Sequence, residues 1–134
     1  MTTTMSRPGA TSGDAARPVV LLVEDEPLQR LMLCDLIEEA GCEAIEAMSG
    51  VDALAILEAR PDIRVVVADL DVRGSMVGMK LAAMIRDRWP PIELILTGSV
   101  KPRMESIPAR GVFHDKPVDP PRLVASIRHF VAET

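Results

Sequence analysis

The sequence predicts an α/β domain in which one parallel sheet is covered by helices on both faces. Five short apolar runs alternate with five longer segments whose apolar residues recur at helical spacing. This alternation favours parallel strands, because each helical segment carries the chain back across the sheet. The first and third runs are almost continuously apolar, which is typical of strands that are buried on both faces.

The five apolar runs are the predicted strands. They are PVVLLV at 18–23, CEAIEA at 42–47, IRVVVA at 63–68, IELIL at 92–96 and GVFH at 111–114. In the second run, Glu43 and Glu46 stand among apolar residues. This pattern indicates a strand with one exposed face and a position at the edge of the sheet.

The segments between the runs are the predicted helices. They are 27–40, 49–60, 78–89, 100–107 and a last segment that begins at 119–120. Pro27 suits a first helical position, Gly41 suits the residue past a helix end, and Ser49 is an N-cap residue. The fourth segment contains Pro102, so we expect one or two turns there at most.

Composition places the chain among globular single domains and excludes several function classes. It has 134 residues, of which 48% are hydrophobic and 26% charged, and a net charge of −5. An acidic balance argues against general nucleic-acid binding, which needs a basic surface to neutralise phosphates. The longest unbroken apolar run has five residues, so no membrane insertion is expected.

The first 17 residues contain no Leu, Ile, Val or aromatic side chain. Such a segment cannot bury enough apolar surface to order itself, so we predict a disordered tail at 1–17 and a domain at 18–134. There is no signal-peptide pattern. Cys34 and Cys42 do not form a CxxC motif, and we interpret them as small apolar residues in a reduced cytoplasm.

Polar residues follow four of the predicted strands. Glu24-Asp25-Glu26 follow the first, Asp69-Leu70-Asp71 the third, Thr97-Gly98-Ser99 the fourth and Asp115-Lys116-Pro117 the fifth. In a parallel sheet the carboxyl ends of the strands gather at one edge, where ligands bind. We therefore expect carboxylates, a hydroxyl and one lysine to converge.

The charges of these residues predict a site for a metal and a phosphoryl group. Glu24, Asp25 and Asp69 carry like charges that raise one another's pKa unless a cation intervenes. Oxygen ligands suit Mg²⁺, and one Mg²⁺ with Lys116 balances the three carboxylates. The metal and the ammonium would offset phosphoryl charge while Thr97 donates a hydrogen bond. Asp69, at a strand end, is the carboxylate placed to accept the group.

A plainer interpretation exists for each residue taken alone. Acidic residues at strand ends often serve only as helix N-caps or as solvated turn residues, and Lys116 alone is as compatible with a surface lysine. The joint occurrence of these residues, each at the end of its own strand in the right order, favours the functional interpretation.

Four motifs resemble the receiver domain of two-component response regulators. They are VLLVEDEP at 20–27, VVVADLDV at 65–72, LILTGS at 94–99 and HDKP at 114–117. The resemblance extends over 18–134. It implies a flavodoxin-like, doubly wound sheet of five parallel strands in the order 2-1-3-4-5, with helices on both faces.

The resemblance also implies a role for each motif residue. Asp69 would take a phosphoryl group from a phosphohistidine on a sensor histidine kinase or phosphotransfer protein. Mg²⁺ would be bound by Glu24, Asp25 and Asp69, and by the backbone carbonyl of Asp71.

The remaining motif residues would sense the phosphoryl group. Thr97 and Lys116 would contact its oxygens, and Phe113, three residues before Lys116, would be the aromatic that reports phosphorylation. The alternative for Phe113 is an ordinary core residue, and both interpretations stay open. The chain ends soon after the last predicted helix. We therefore expect a protein partner, and not a fused effector, to read the switch.

The sequence departs from the family pattern in two loops. Arg73 stands where the family commonly has proline, Val77-Gly78 replaces a usual Asp-Gly, and the 73–78 loop is one residue longer than the common form. The 97–116 stretch is a few residues short. It contains the weak fourth helix, so whether the usual output face is kept stays open.

Two other functions remain as alternatives. One is a pseudo-receiver that binds a partner without phosphorylation, which the loop departures suggest and which the presence of Asp69, Thr97 and Lys116 opposes. The other is a phosphatase of the haloacid-dehalogenase type, in which Asp69 is the nucleophile and Asp71 the general acid. The short chain and the position of this DxD after the third strand argue against an enzyme.

Overall fold

A computed structural model describes residues 17–72, 78–108 and 110–133. Its core is a five-stranded parallel sheet in the order β2-β1-β3-β4-β5, which confirms the predicted architecture. The strands are β1 (Val19–Val23), β2 (Glu43–Ala47), β3 (Val65–Asp69), β4 (Glu93–Gly98) and β5 (Gly111–Asp115). Most of the predicted tail, and the loop departures at Arg73 and Val77, lie outside the described residues.

Four α-helices connect the strands. They are α1 (Pro27–Glu39), α2 (Gly50–Ala59), α3 (Gly78–Arg88) and α4 (Pro120–Ala132). The predicted fourth helix at 100–107 is a single 3₁₀ turn, Met104–Ser106. Pro102 lies one residue before Arg103, whose carbonyl accepts the turn's hydrogen bond from Ser106 N at 2.9 Å. Proline disfavours helix at the residue that precedes it and cannot donate a hydrogen bond, so little room for a longer helix remains.

The helices enclose two apolar layers, one on each face of the sheet. Neighbouring residues of a strand point to opposite faces. On one face, Val20 and Leu22 of β1 pack with buried residues of α1 and α4. On the other face, Leu21 and Val23 pack with buried residues of α2 and α3. Both faces of the central strands are thus covered, which explains their continuously apolar sequences.

Helix ends use the signals that the sequence predicts, with one addition. Ser49 caps α2, and its Oγ accepts a hydrogen bond from Asp52 N at 3.1 Å. Pro27 opens α1, and Gly41 beyond its end has a φ of +88°, a value that glycine adopts at little cost. The cap of α1 is Glu26, which accepts a hydrogen bond from Gln29 N at 2.7 Å.

The second strand lies at an edge of the sheet, as predicted from its two glutamates. β2 pairs with β1, and Glu43 and Glu46 are exposed. Arg30 of α1 forms an ion pair with Glu46 at 3.0 Å. Across the described ranges, no helix has the length and apolar character needed to cross a membrane.

Candidate functional site

Four strand ends assemble the candidate site at the carboxyl edge of the sheet. Asp69 is the last residue of β3 and pairs in register with Thr97 of β4. Lys116 directly follows β5, and Glu24 directly follows β1. A cavity of about 410 Å³ opens here, lined by Glu24, Asp25, Glu26, Pro27, Gln29, Asp69, Asp71 and Lys116. The structure therefore brings the predicted carboxylates and the lysine to one place.

Asp69 is held at both of its carboxylate oxygens. Its side chain is buried, with the residue only 4% exposed. Oδ1 accepts a hydrogen bond from the backbone N–H of Asp71 at 2.9 Å, and Oδ2 accepts one from Lys116 Nζ at 2.9 Å. The carboxylate thus sits in a defined orientation at the edge of the cavity.

Lys116 connects two carboxylates. Its Nζ donates to Asp69 Oδ2 and, at 3.0 Å, to Asp71 Oδ2. Its backbone N–H donates to the carbonyl of Gly98 at 3.0 Å, which fixes the residue against the end of β4. Burial lowers the pKa of the ammonium, but the two hydrogen bonds and the two negative charges together raise it above its usual value. Lys116 is therefore a cation at neutral pH.

The side chain of Asp71 has a part in the site that the sequence did not predict. Its Oδ2 accepts hydrogen bonds from Ser99 N at 3.1 Å and Ser99 Oγ at 2.8 Å, in addition to the one from Lys116. Burial raises the pKa of Asp71, but the hydrogen bonds from Lys116 and Ser99 outweigh it, so the pKa lies below its usual value. The resemblance to receiver domains implies a role only for the backbone carbonyl of this residue, and the phosphatase alternative gives its side chain the role of general acid, not of a partner for Ser99 and Lys116. An acid–hydroxyl pair 28 residues apart gives no local signal.

Glu24 is a buried carboxyl with an unsatisfied oxygen. The residue is 1% exposed, and its Oε2 accepts a hydrogen bond from Glu26 N at 3.0 Å. Its Oε1 finds no hydrogen-bond partner among the residues that the structure describes. Burial raises the pKa of Glu24 to about 7, and interaction with the neighbouring Asp69 carboxylate adds to the rise. Near neutral pH, Glu24 is therefore partly protonated when no cation is bound.

The donor set fits Mg²⁺ in its chemistry. Glu24, Asp25 and Asp69 line the same cavity, and hard oxygen ligands are those that Mg²⁺ prefers. The unsatisfied Oε1 of Glu24 is an oxygen that a bound cation or its water could satisfy. In the described part of the chain, no three acidic, histidine or cysteine side chains are already arranged as a ligand set. The magnesium site therefore stays a prediction.

Thr97 is fully buried beside Asp69. Its Oγ1 is without a hydrogen-bond partner within the described ranges. A buried hydroxyl that lacks a partner costs about 1–3 kcal/mol, and such groups often serve a function. Thr97 therefore holds an unused donor next to the candidate acceptor.

The ring of Phe113 packs against Gly98 at the end of β4. A Cβ added to Gly98 would lie 3.3 Å from Cε1 of Phe113 and 3.4 Å from Cβ of Leu70. The ring therefore packs closely on the end of β4, and it is partly buried against the apolar layer on that face. This placement fits a core residue as well as a switch residue, so the role of Phe113 stays a prediction.

An apolar surface borders the site on α1. Leu28, Leu31 and Met32 are 74%, 61% and 39% exposed, respectively. A groove of about 330 Å³ runs between α1 and the β5–α4 loop, lined by Leu28, Gln29, Met32, Lys116, Pro117 and Val118. The helical pattern in the sequence did not separate Leu28 and Met32 from buried residues of the same helix, because α1 is apolar on more than one side. The buried residues are Leu33, Leu36 and Ile37.

The family model and the curated proteins that this chain resembles are all response regulators. A family model for the response regulator receiver domain matches residues 20–128. The polar-differentiation response regulators DivK of Brucella anthropi and Brucella ovis are each 27% identical over 121 residues, which covers 85% of this chain and 96% of theirs.

Solved structures share the fold. A CheY-like receiver domain protein from Methanospirillum hungatei superposes with a TM-score of 0.77 at 19% identity, covering 88% of this chain and 96% of that one. The receiver domain of NtrX from Brucella abortus gives 0.73 at 24% identity, covering 86% and 99%. Because the family model spans most of the sequence, the chain belongs to the response regulator receiver domain family of two-component systems.

Proposed function

We propose that this receiver domain is a phosphorylation-dependent switch and that Asp69 is its phospho-acceptor. The observation that carries the proposal is the setting of Asp69. Its buried carboxylate lies between a backbone N–H and the Lys116 ammonium at the edge of an open, acidic cavity. Such a carboxylate is oriented for attack on a group that enters the cavity.

The proposed reaction is phosphoryl transfer from a phosphohistidine on a sensor histidine kinase or phosphotransfer protein. A carboxylate oxygen of Asp69 forms a bond to phosphorus as the phosphorus–nitrogen bond of the donor breaks. The electron pair of that bond returns to the imidazole, which takes up a proton from solvent. Lys116 stays close to the acceptor and offsets charge on the transferred group.

Mg²⁺, when bound, would neutralise phosphoryl charge. We assign its binding to Glu24, Asp25 and Asp69, with the backbone carbonyl of Asp71. The shared cavity and the unsatisfied Glu24 oxygen support this assignment. Three carboxylates and one ammonium leave a net negative charge that favours a divalent cation.

The proposed response starts at Thr97. Its buried hydroxyl has a hydrogen to donate, and a phosphoryl oxygen on the adjacent Asp69 is an acceptor of the right kind. Movement of Thr97 would alter the end of β4, on which the Phe113 ring packs through Gly98. We propose that a downstream protein partner reads the resulting change in surface.

We propose that the phosphodonor protein docks on the apolar surface of α1 formed by Leu28, Leu31 and Met32. This surface and its groove are continuous with Lys116, so a protein seated there brings a histidine near Asp69. Exposed apolar patches beside a reaction site are typical of protein interfaces.

Asp71 argues against the phosphatase alternative. A general acid must carry a proton at working pH, whereas hydrogen bonds from Lys116 and Ser99 hold the pKa of Asp71 below its usual value. We propose that the chain is not an enzyme with its own turnover.

We also propose a cytoplasmic protein with a disordered tail at 1–17 and a domain at 18–134, without direct nucleic-acid binding or membrane insertion. Two free cysteines are compatible with that compartment.

The test is covalent labelling of the purified full chain. With acetyl phosphate or a phosphorylated kinase and Mg²⁺, we expect one phosphoryl group, located on Asp69 by peptide mapping. Asp69→Asn should remove the label. Asp62→Asn, a change of an exposed aspartate, should keep it. No label on the wild type contradicts the proposal and favours the pseudo-receiver. Equal label on Asp69→Asn also contradicts the proposal, because the phosphoryl group would then lie on another residue.

A further inference from the structure

Asp71 fastens the start of the β4–β5 connection to the end of β3. Both donors of Ser99, its backbone N–H and its Oγ, bind to Oδ2 of Asp71. Ser99 is the first residue after β4, and it is exposed. The first residue of the β4–β5 connection is therefore fixed by hydrogen bonds to the Asp71 carboxylate.

The same oxygen also binds Lys116. Nζ of Lys116 lies 3.0 Å from Asp71 Oδ2 and 2.9 Å from Asp69 Oδ2, so one ammonium is shared by two carboxylates. Asp71 is 39% exposed at its side chain, and the ammonium is one of the groups that orient it. The hydrogen bonds from Lys116 and from Ser99 thus meet at one atom, Asp71 Oδ2.

The connection after Ser99 is only lightly held by regular structure. Val100 is 79% exposed, Lys101 and Arg103 are exposed, and the segment's one described helical element is the 3₁₀ turn Met104–Ser106. A single 3₁₀ turn supplies few backbone hydrogen bonds. Loss of the contact at Ser99 should therefore change the order of the residues that follow.

We propose that Asp71 is a positioning residue that couples Lys116 to the order of residues 99–103. A phosphoryl group on Asp69 carries more negative charge than the carboxylate it replaces and draws the ammonium away from Asp71. The Asp71 side chain then loses one of its fixed partners and holds Ser99 less firmly. Val100, Lys101 and Arg103 form the surface that changes. The trigger rests on the proposed function, whereas the coupling itself belongs to the unmodified protein.

The test without phosphorylation is amide hydrogen exchange measured by NMR on the metal-free full chain. Lys116→Met and Asp71→Ala should each speed exchange at the Ser99 amide by about fivefold or more, the effect of losing one hydrogen bond. Asp71→Asn, which keeps a side-chain oxygen for Ser99, should restore part of the protection. Lys101→Met, an exposed lysine in the same segment, should leave the amide unchanged.

The outcomes separate coupling from a merely local contact. If Asp71→Ala speeds exchange and Lys116→Met does not, Asp71 is a structural bond to Ser99 and the proposal is wrong. Exchange at Val66, in the buried central strand, reports whether each variant is folded. If the Val66 amide loses protection in Lys116→Met, that variant is not folded and Lys116→Gln replaces it.

A second arm uses phosphoramidate with Mg²⁺, and peptide mapping shows whether Asp69 is modified. Faster exchange at Ser99 in the modified protein supports the coupling. Modification with no change at Ser99 overturns it. Failure to modify Asp69 contradicts the proposed function and leaves the coupling to be decided by the unmodified variants.

Discussion

Burial of Glu24 should make the metal-free protein less stable as the pH rises. The pKa of Glu24 is raised from 4.5 to about 7 in the folded chain, chiefly by burial and further by Asp69. The folded state therefore binds this proton more tightly than the unfolded state. The contribution of this group to the free energy of unfolding is fully present below pH 4.5 and is lost as the pH rises towards 7 and above. At about 1.4 kcal/mol for each unit of pKa, the loss amounts to about 3 kcal/mol by pH 8.

Glu24→Gln removes this titration while keeping the size of the side chain. The difference in free energy of unfolding between variant and wild type should shift in favour of the variant by about 3 kcal/mol between pH 4 and pH 8. Effects of the amide that do not depend on pH cancel in this comparison. Urea unfolding in EDTA at several pH values measures the difference.

Glu39→Gln, which changes an exposed carboxyl at the end of α1, controls for removal of a charge. A Glu24→Gln difference that is constant with pH, or that moves in favour of the wild type, would refute the reasoning. That result would mean that the buried Glu24 carboxyl is ionised at little cost in the folded protein without metal.

Three further predictions concern the site and its borders. Millimolar Mg²⁺ should raise the Tm of the wild type at pH 8 and have a much smaller effect on Asp25→Asn, since binding to the folded state alone stabilises it; equal shifts in both would remove Asp25 from the ligand set. Gly98→Ala places a methyl group 3.3 Å from Cε1 of Phe113, so the aromatic NMR signals of that ring should shift and stability should fall by about 1 kcal/mol; an unchanged spectrum would mean that the ring does not rest on Gly98. Leu31→Ser should slow phosphotransfer from a cognate kinase about tenfold by weakening docking while labelling by acetyl phosphate is unchanged, and a loss with both donors would place the defect in the site itself.

Much of the fold follows from residue patterns because the driving forces are local or periodic. The apolar runs at 18–23 and 63–68 predicted β1 and β3, since strands that are buried on both faces are mostly apolar in sequence. The strand order came from the resemblance and is confirmed. The site residues at strand ends were predictable because parallel strands bring their carboxyl ends to one edge.

Contacts between side chains distant in sequence could not be predicted. Glu93 is buried at the start of β4 and forms an ion pair with Arg110, and the sequence contains no periodic signal that joins these residues. The hydrogen bond from Ser99 to Asp71 also joins residues that no sequence pattern connects. The exposure of Leu28 and Met32 also escaped prediction, because a helix that is apolar on more than one side does not reveal which side faces the sheet.

The exposed glutamates of β2 bear on how copies of this chain behave towards one another. An edge strand offers unpaired backbone groups to which a second molecule can add a strand, which is a route to aggregation. Glu43 and Glu46 stand along this edge, and Glu46 is only partly neutralised by Arg30 because its side chain remains 52% exposed. Two such edges brought together would set like charges against each other. The strand that contributes least to the candidate site thus helps to keep separate molecules of this acidic protein apart.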